Sequence, residues 1–479
     1  MSTSSASKEL RKVLGNEAVL DRAEDLMVYE YDASLAKGTP DLVVLPRTTE
    51  DVVAIVNIAR KYKMPIVPRG SGTGLSGGSV PRKGGIIVTF SRMTRILEVD
   101  TKNRRAVVQP GLVNSELSAA VAKYGLYFAP DPSSQRASTI GGNVAENSGG
   151  PHTLAQGVTV NHVTGLEVVL PSGEVIQLGG KATDAAGYDL TGFFVGSEGL
   201  LGIVTKITVK LTRLPEFVTT LLATYNTVDD AAQTVTAITS EGITPAALEM
   251  LDGVTLRAVE DATHAGYPRD SAAVLLIELE GMREAVDEQA EAVRKVCQRH
   301  NAREVRRAKD DTERALLWKG RKTAFASLGR LTPAYYSQDV VVPRTRIAEL
   351  LHFIDGVIKK HGLRVGNIFH AGDGNLHPAI MFDIRDPKQV EHTLQAGFEI
   401  CEQCIKMGGT ITGEHGVGME KQALMPLLFT DDDLEVMKRL HNAYNREGLM
   451  NPMKVFPTTR GCREGVVSSV KPELVEVAQ

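Results

Sequence analysis

The sequence predicts an α+β protein of two domains, and three observations carry that prediction. At 479 residues the chain is longer than one hydrophobic core supports. Its first half, to about residue 215, alternates short apolar strands with helices and three glycine-rich loops. Its second half alternates longer amphipathic helices (283–300, 347–360) with strands (273–278, 337–342), the pattern of a separate α+β domain with an antiparallel sheet.

The first loop follows a helix and a strand. Thr48-Thr49-Glu50-Asp51 supplies the hydroxyl and acid of a helix start, and Val52, Val53, Ile55, Val56, Ile58 and Ala59 recur at helical spacing. The short strand 65–68 leads into Arg69-Gly70-Ser71-Gly72-Thr73-Gly74-Leu75-Ser76-Gly77-Gly78. Gly72, Gly74 and Gly77 satisfy G-x-G-x-x-G, yet the dinucleotide-binding fingerprint must open a helix. Here Ser79, Val80 and Pro81 lead into another strand, 86–90, and the Rossmann reading fails. What remains is a nest of backbone amides with Arg69 at its rim, suited to a pyrophosphate.

A strand pair, 96–99 with 106–109, turns at 101–103, and a helix begins at Asn114 and closes at Gly125. The second loop runs from Pro130-Asp131-Pro132-Ser133-Ser134 through Thr139-Ile140-Gly141-Gly142-Asn143-Val144-Ala145-Glu146-Asn147-Ser148-Gly149-Gly150. Apolar core residues are almost absent, so the stretch reads as a loop whose backbone approaches a bulky ligand. Asn143 and Asn147 are suited to bond a polar ring edge or a phosphate. The third loop, Gly187-Tyr188-Asp189-Leu190-Thr191-Gly192 and then Val195-Gly196-Ser197-Glu198-Gly199-Leu200-Leu201-Gly202-Ile203, ends in a strand over 203–211. Three such loops between strands point to one extended cofactor crossing all of them.

The order of these motifs resembles the flavoprotein family named after vanillyl-alcohol oxidase. Within it the likeness is to the branch of glycolate oxidase catalytic subunits, D-lactate dehydrogenases and D-2-hydroxyglutarate dehydrogenases, from about Tyr29 to Phe456. The resemblance implies a PCMH-type FAD-binding domain of two subdomains over 1–215 and a cap domain of the FAD-linked oxidase C-terminal type over 216–440. A segment 441–479 is then expected to return to the FAD domain, with Asn451 near the ring. It implies pyrophosphate contacts at Arg69, Gly70, Ser71, Gly72 and Thr73. Pro130, Asp131, Ser133, Gly141, Gly142, Asn143, Ser148 and Gly149 are expected around the flavin and ribityl chain, with Glu198, Gly202 and Ile203 near the adenine half. Some family members attach the flavin through a histidine in the first loop. Ser71-Gly72-Thr73-Gly74 has none, so the FAD is expected to be non-covalent, with His152 as the alternative attachment point.

The second half carries the expected chemistry. His370-Ala371-Gly372-Asp373-Gly374-Asn375-Leu376-His377 frames a glycine turn with two imidazoles, and Gly413-Glu414-His415-Gly416 lies downstream. Two neutral imidazoles and a carboxylate make a three-ligand set with open positions, suited to a divalent metal such as Zn²⁺ or Mn²⁺. By resemblance His370, His377 and Glu414 are the ligands and His415 is the acid–base group. The implied reaction moves a hydride from Cα of a 2-hydroxy acid to flavin N5 while the metal assists loss of the hydroxyl proton. Arg321, by resemblance, binds the carboxylate next to the reacting carbon, whereas Lys319, Lys322 and Arg344 read as solvated. The hydroxyglutarate branch adds a hydroxyl and a lysine for a distal carboxylate. Ala324-Phe325-Ala326-Ser327 and Tyr335-Tyr336-Ser337-Gln338 stand here instead, which favours glycolate or D-lactate over D-2-hydroxyglutarate.

Charge and cysteines narrow the field. With 54 Lys+Arg against 58 Asp+Glu, the net charge of −4 gives no footprint for nucleic acid or acidic membranes. No apolar run approaches ~20 residues and the N-terminus lacks a signal core, so a cytoplasmic location is expected, with peripheral docking through a partner as an option. The four cysteines show no iron–sulfur spacing, and Cys401 and Cys404 read as reduced core thiols. Electrons must therefore leave for an iron–sulfur or second flavin subunit, an electron-transfer flavoprotein, a quinone, a cytochrome or oxygen. Two rival readings stand beside this one: a flavin-free metal hydrolase or oxygenase, and a non-catalytic FAD subunit that only relays electrons.

Overall fold

The computed structural model describes residues 3–182 and 187–457; the tail from Thr458 and Cys462 lie outside them. Contacts divide the chain into two units. The first comprises 3–149, 158–214 and 414–457, the second 150–157 and 215–413. The chain re-enters the first unit at Glu414, and the described part of the 441–479 segment lies in that unit. The cause is local: the carbonyl of Ser76 accepts Met419 N–H at 2.8 Å, and Glu198 holds the amides of Val417 and Gly418. Residues 150–157 join the second unit because His152 and Gln156 pair with Glu278 and Glu280.

In the first unit, one sheet runs in the order β1 (Val19–Leu20), β2 (Leu42–Val44), β4 (Ile86–Thr89), β3 (Ile66–Arg69). β2, β4 and β3 are parallel. The helix Thr49–Tyr62 starts as its sequence demands, with Thr48 and Asp51 closing a capping box. Its Val52, Ile55, Val56, Ile58 and Ala59 are buried with Leu42, Ile66, Ile86 and Ile203. Burial of this kind stabilises by roughly 1.5–3 kcal/mol for each large aliphatic side chain. The second sheet is antiparallel, built from β5 (Ile96–Asp100), β6 (Arg105–Val108), β8 (Val163–Val169), β9 (Val175–Gly179) and β10 (Ile203–Lys210), in the order β5–β6–β10–β8–β9. A short pair, β7 (Leu126–Tyr127) with β11 (Thr212–Arg213), lies beside it in sequence.

The glycine stretch at 139–150 is not the open loop expected. Ile140–Glu146 is a helix whose first turn is capped by Thr139, its Oγ1 accepting Gly142 N–H at 3.2 Å. Ile140 and Val144, the two large apolar residues in a polar run, are fully buried against Leu117, Phe128 and Leu166. Two anchors and a cap hold a helix that glycine propensity opposes.

The second unit is built on an antiparallel sheet in the order β15 (Glu304–Arg307), β12 (Phe217–Tyr225), β14 (Ala273–Gly281), β13 (Ala247–Asp252), β18 (Arg364–His370), β19 (Asn375–Phe382), β16 (Ala334–Ser337), with β17 (Val340–Val341) also on β19. The strand expected over 337–342 is thus two strands, interrupted at Gln338 and Asp339. Helices Arg283–Arg299, Ile347–His361 and Pro387–Lys406 accompany the sheet. Cys401 and Cys404 are buried thiols on the last, donating to Gln338 Oε1 and to the Val341 carbonyl. Among the described residues no helix is long and apolar enough to cross a membrane.

Candidate active site

The rejected Rossmann fingerprint behaves as its context demands: no helix follows Gly77, and the loop joins β3 to the parallel neighbour β4. Arg69 closes β3 and is buried, its guanidinium 5.7 Å from the centre of the Tyr29 ring and donating to Ser79 Oγ at 3.2 Å. Gly72 has φ +73°, and a Cβ there would collide with the Arg69 guanidinium. The loop therefore folds over its own arginine. Among the described residues, the amides of Ser71, Gly72, Thr73 and Gly74 donate to no protein acceptor. Such a nest of free N–H groups beside a buried cation fits a pyrophosphate.

The 139–150 segment packs against this loop, since a Cβ on Gly70 would meet Thr139 Oγ1 at 2.6 Å. Gly141 is glycine for a packing reason: its Cβ would fall 2.6 Å from Pro110. Asn143 is buried, accepting from Asn114 Nδ2 at 2.9 Å and facing Ser148 Oγ at 3.4 Å, while Asn114 also donates to the Pro130 carbonyl. Gly142 and Ser148 are half-buried, Gly149 is buried, Asp131 is half-buried and Ser133 is exposed. Gly202 and Ile203 sit at the start of β10, where Ile203 joins the core and a Cβ on Gly202 would meet Val168.

Glu198, expected near the adenine half, is committed to two backbone amides of its own unit. Its two carboxylate oxygens accept the N–H groups of Val417 at 2.7 Å and Gly418 at 2.8 Å. Burial pushes its pKa up, and those two amides pull it back. Glu146 lies beside it, lifted well above the carboxylate range first by burial and then by the Glu198 charge. Asn451 Nδ2 donates to the carbonyls of Gly78 and Glu198, so the C-terminal segment ties the first and third loops together.

In the second unit the sheet register assembles a row of polar groups. β13 pairs with β18 so that Met250 opposes Phe369, which sets Glu249 across from His370. β18 pairs with β19 so that Ile368 opposes His377, placing the two imidazoles on one face as diagonal neighbours. Their ring centroids are 5.2 Å apart. Both oxygens of Glu249 lie 3.0 Å from His370 Nδ1, and Arg321 forms an ion pair with the same carboxylate. Arg321 is 1% exposed, also donates to the Phe369 carbonyl at 3.1 Å, and keeps a buried Nε without a hydrogen bond. His377 Nδ1 faces the Gln338 carbonyl at 3.3 Å and Asp339 Oδ1 at 3.8 Å. Asp339 in turn accepts from Thr412 Oγ1 at 2.6 Å and Gly413 N–H at 2.9 Å.

Gly413 runs on covalently into Glu414 and His415, and two donor groups result. Ligand atoms of His370, His377 and Glu414 lie within 4.8 Å of one another, and so do those of Asp339, His377 and His415. His415 Nε2 is 4.0 Å from Glu414 Oε1. Each imidazole of the first group has its Nδ1 against a carboxylate or carbonyl, leaving Nε2 as the donor nitrogen, the arrangement that a bound divalent ion requires. The residues fit the group.

Other expectations resolve simply. Lys319 and Arg344 are exposed, and Lys322 lies 6.0 Å from the Trp318 ring centre. His152 stacks on Trp318 at 5.5 Å with Nε2 3.2 Å from Glu278, which gives it a packing role of its own. Glu249 and Asp339 escaped the sequence reading. The available signal was an ionisable residue within an otherwise apolar strand, Ala247-Leu248-Glu249-Met250-Leu251, where burial demands a partner.

Comparison with known proteins bears on both units. Two family models match: "FAD binding domain" over residues 40–179 and "FAD linked oxidases, C-terminal domain" over 214–455. The chain is 43% identical over 456 residues to the glycolate oxidase subunit GlcD of Escherichia coli (strain K12), covering 95% of this chain and 91% of that protein. Against GlcD of Bacillus subtilis (strain 168) it is 43% identical, over 98% of this chain and all of the other. It is 34% identical to the mitochondrial D-lactate dehydrogenase (cytochrome) of Arabidopsis thaliana, over 91% and 78% of the two chains. Among solved structures, 4-ethylphenol oxidase from Gulosibacter chungangensis superposes with a TM-score of 0.79 at 20% identity, over 95% and 97% of the chains. p-Cresol methylhydroxylase does so with 0.81 at 17%, over 96% and 98%. Those two establish the PCMH-type fold of the expected α+β class. Identity of 43% across nearly the whole of both chains adds the lineage: this protein is an enzyme of the FAD-linked oxidase family.

Proposed function

We propose that this enzyme oxidises a small D-2-hydroxy acid, glycolate or D-lactate, to the 2-oxo acid. The observation that carries the proposal is the His370, His377 and Glu414 donor group, with His370 and Arg321 both held by the Glu249 carboxylate. The names of the relatives support it: two are glycolate oxidase subunits and a third is a D-lactate dehydrogenase.

FAD, held non-covalently by the amide nest at 70–73 and by the 130–149 segment, supplies when bound the acceptor for the Cα hydrogen and its electron pair. A Zn²⁺ or Mn²⁺ ion on His370, His377 and Glu414 supplies a Lewis acid, and on catalytic zinc such an ion lowers the pKa of bound water from ~16 to ~7. The protein's own groups do the rest. Arg321 pairs with the substrate carboxylate through the donors Glu249 leaves unused, and its burial makes that pairing strong. His415, adjacent to a ligand in sequence, accepts the hydroxyl proton. The small side chains at Ala324 and Ala326, with no cation among 324–327, suit a substrate with a single carboxylate. Electrons then pass to a partner. The word "subunit" in the names of the GlcD relatives favours a protein acceptor in a complex.

The test is a dye-reduction screen of this chain alone across D- and L-2-hydroxy acids. Turnover of glycolate or D-lactate, abolished by a chelator and restored by Zn²⁺ or Mn²⁺, is expected. A colourless protein, or one that turns over no 2-hydroxy acid, refutes the proposal.

A further inference from the structure

We infer that Glu249 is a positioning residue that orients two parts of the site at once, presenting His370 Nε2 to the metal and fixing the guanidinium of Arg321. The inference rests on the reading of His370 as a metal ligand.

The sheet dictates the arrangement. With β13 antiparallel to β18, Glu249 stands directly across from His370, and both oxygens of its carboxylate are 3.0 Å from Nδ1. A carboxylate accepts only, so the proton of the neutral imidazole is drawn to Nδ1 and the lone pair is left on Nε2. The opposite tautomer would gain a donor from Arg321 Nη2 at 3.4 Å, but it would set its Nδ1 lone pair against two carboxylate oxygens at 3.0 Å and leave Nε2 protonated, unable to bind an ion. Glu249 thereby selects the ligating form and stops the ring from rotating.

The same carboxylate forms the ion pair with Arg321, which is almost fully buried on the helix Asp311–Lys322. Without Glu249 that guanidinium would stand unpaired in a dry interior, and it would be drawn to whatever anion or carbonyl lies near. Its position relative to His370 Nδ1, 3.4 Å away, is therefore set by a partner they share. A purely structural role, neutralising Arg321, predicts no effect on the metal. A positioning role predicts one.

The experiment uses the full-length FAD-loaded protein with Zn²⁺ alone as the probe. Metal affinity is measured by competition with a chromophoric chelator, and FAD content by absorbance. Glu249→Gln is expected to bind Zn²⁺ 10–100-fold more weakly, the usual cost of removing a partner that orients a ligand, with FAD content unchanged. Glu249→Asp, which retains the charge, should recover part of the loss. Wild-type affinity in a folded, yellow Glu249→Gln variant would overturn the inference while leaving the metal site standing. A wild-type protein that binds no Zn²⁺ would remove the metal reading and the inference with it. A second measurement needs no variant at this site: ¹⁵N-histidine spectra of the metal-free wild-type protein, with His370 assigned by His370→Gln. They should show the Nδ1–H tautomer for His370, and the Nε2–H form would overturn the inference even if Glu249→Gln failed to fold.

Discussion

Replacing Glu198 by glutamine tests how the loop that follows Glu414 and His415 is held. Both carboxylate oxygens are committed, to Val417 N–H at 2.7 Å and Gly418 N–H at 2.8 Å. A hydrogen bond to a charged group is worth about 1.5–3 kcal/mol net, and a buried donor left without a partner costs about 1–3 kcal/mol. Glutamine keeps one acceptor and turns an amide NH₂ toward the other N–H, so it loses one bond and adds a donor–donor contact. The net expectation is about 2 kcal/mol against the closed loop. At 1.4 kcal/mol per factor of ten, that is about thirtyfold more frequent opening. Hydrogen–deuterium exchange of a peptide spanning 416–420 measures it directly, because those two amides are the bonded ones. Turnover should fall as well, since His415 precedes the loop. Protection unchanged within about threefold of wild type would show that Glu198 does not hold this loop, and the argument would fail.

Three further outcomes are expected. His415→Ala should remain folded and yellow with FAD yet lose about 10²–10⁴-fold in kcat, and near wild-type turnover would remove His415 from the reaction. Asp339→Asn should lower metal affinity about 10–100-fold, because Asp339 braces His377 and anchors Thr412 and Gly413; unchanged metal content after dialysis would contradict this. Glu420 is pushed up to about 8, chiefly by burial, with Leu35 N–H bonded to it at 3.3 Å. An acid raised in the folded state keeps a proton that the unfolded chain has lost, so its contribution to stability is greatest below about 4.5 and declines as pH rises toward 8. Glu420→Gln should flatten that decline in Tm between pH 5 and 8. A Tm profile parallel to wild type would show that Glu420 titrates normally.

Much of the fold was legible because it rests on local chemistry. Thr48 and Asp51 announce a capping box in four residues, and Val52 to Ala59 state which face is buried. The refusal of Ser79-Val80-Pro81 to continue as a helix excluded a Rossmann turn without any structure. The helix Ile140–Glu146 was hidden for the complementary reason: Gly141, Gly142 and Asn143 disfavour helix, and what stabilises it is distant, the core around Leu117 and Phe128. His370 and His377 stood out by their rarity and glycine framing, and the structure brings them together with Glu414. Glu249 and Asp339 were not, because their importance comes from strand register, and register is not written in any short window. The amide partners of Glu198 were not legible either, since Val417 and Gly418 lie more than two hundred positions away in the chain.

The most direct test of the account is anaerobic mixing of the FAD-loaded chain with glycolate or D-lactate, following flavin absorbance near 450 nm in a single turnover. Full bleaching is expected of the metal-replete protein. A rate at least a hundredfold lower is expected once the ion is removed, or once His377 is changed to alanine. Bleaching that proceeds at the same rate without the ion would contradict the role given to His370, His377 and Glu414.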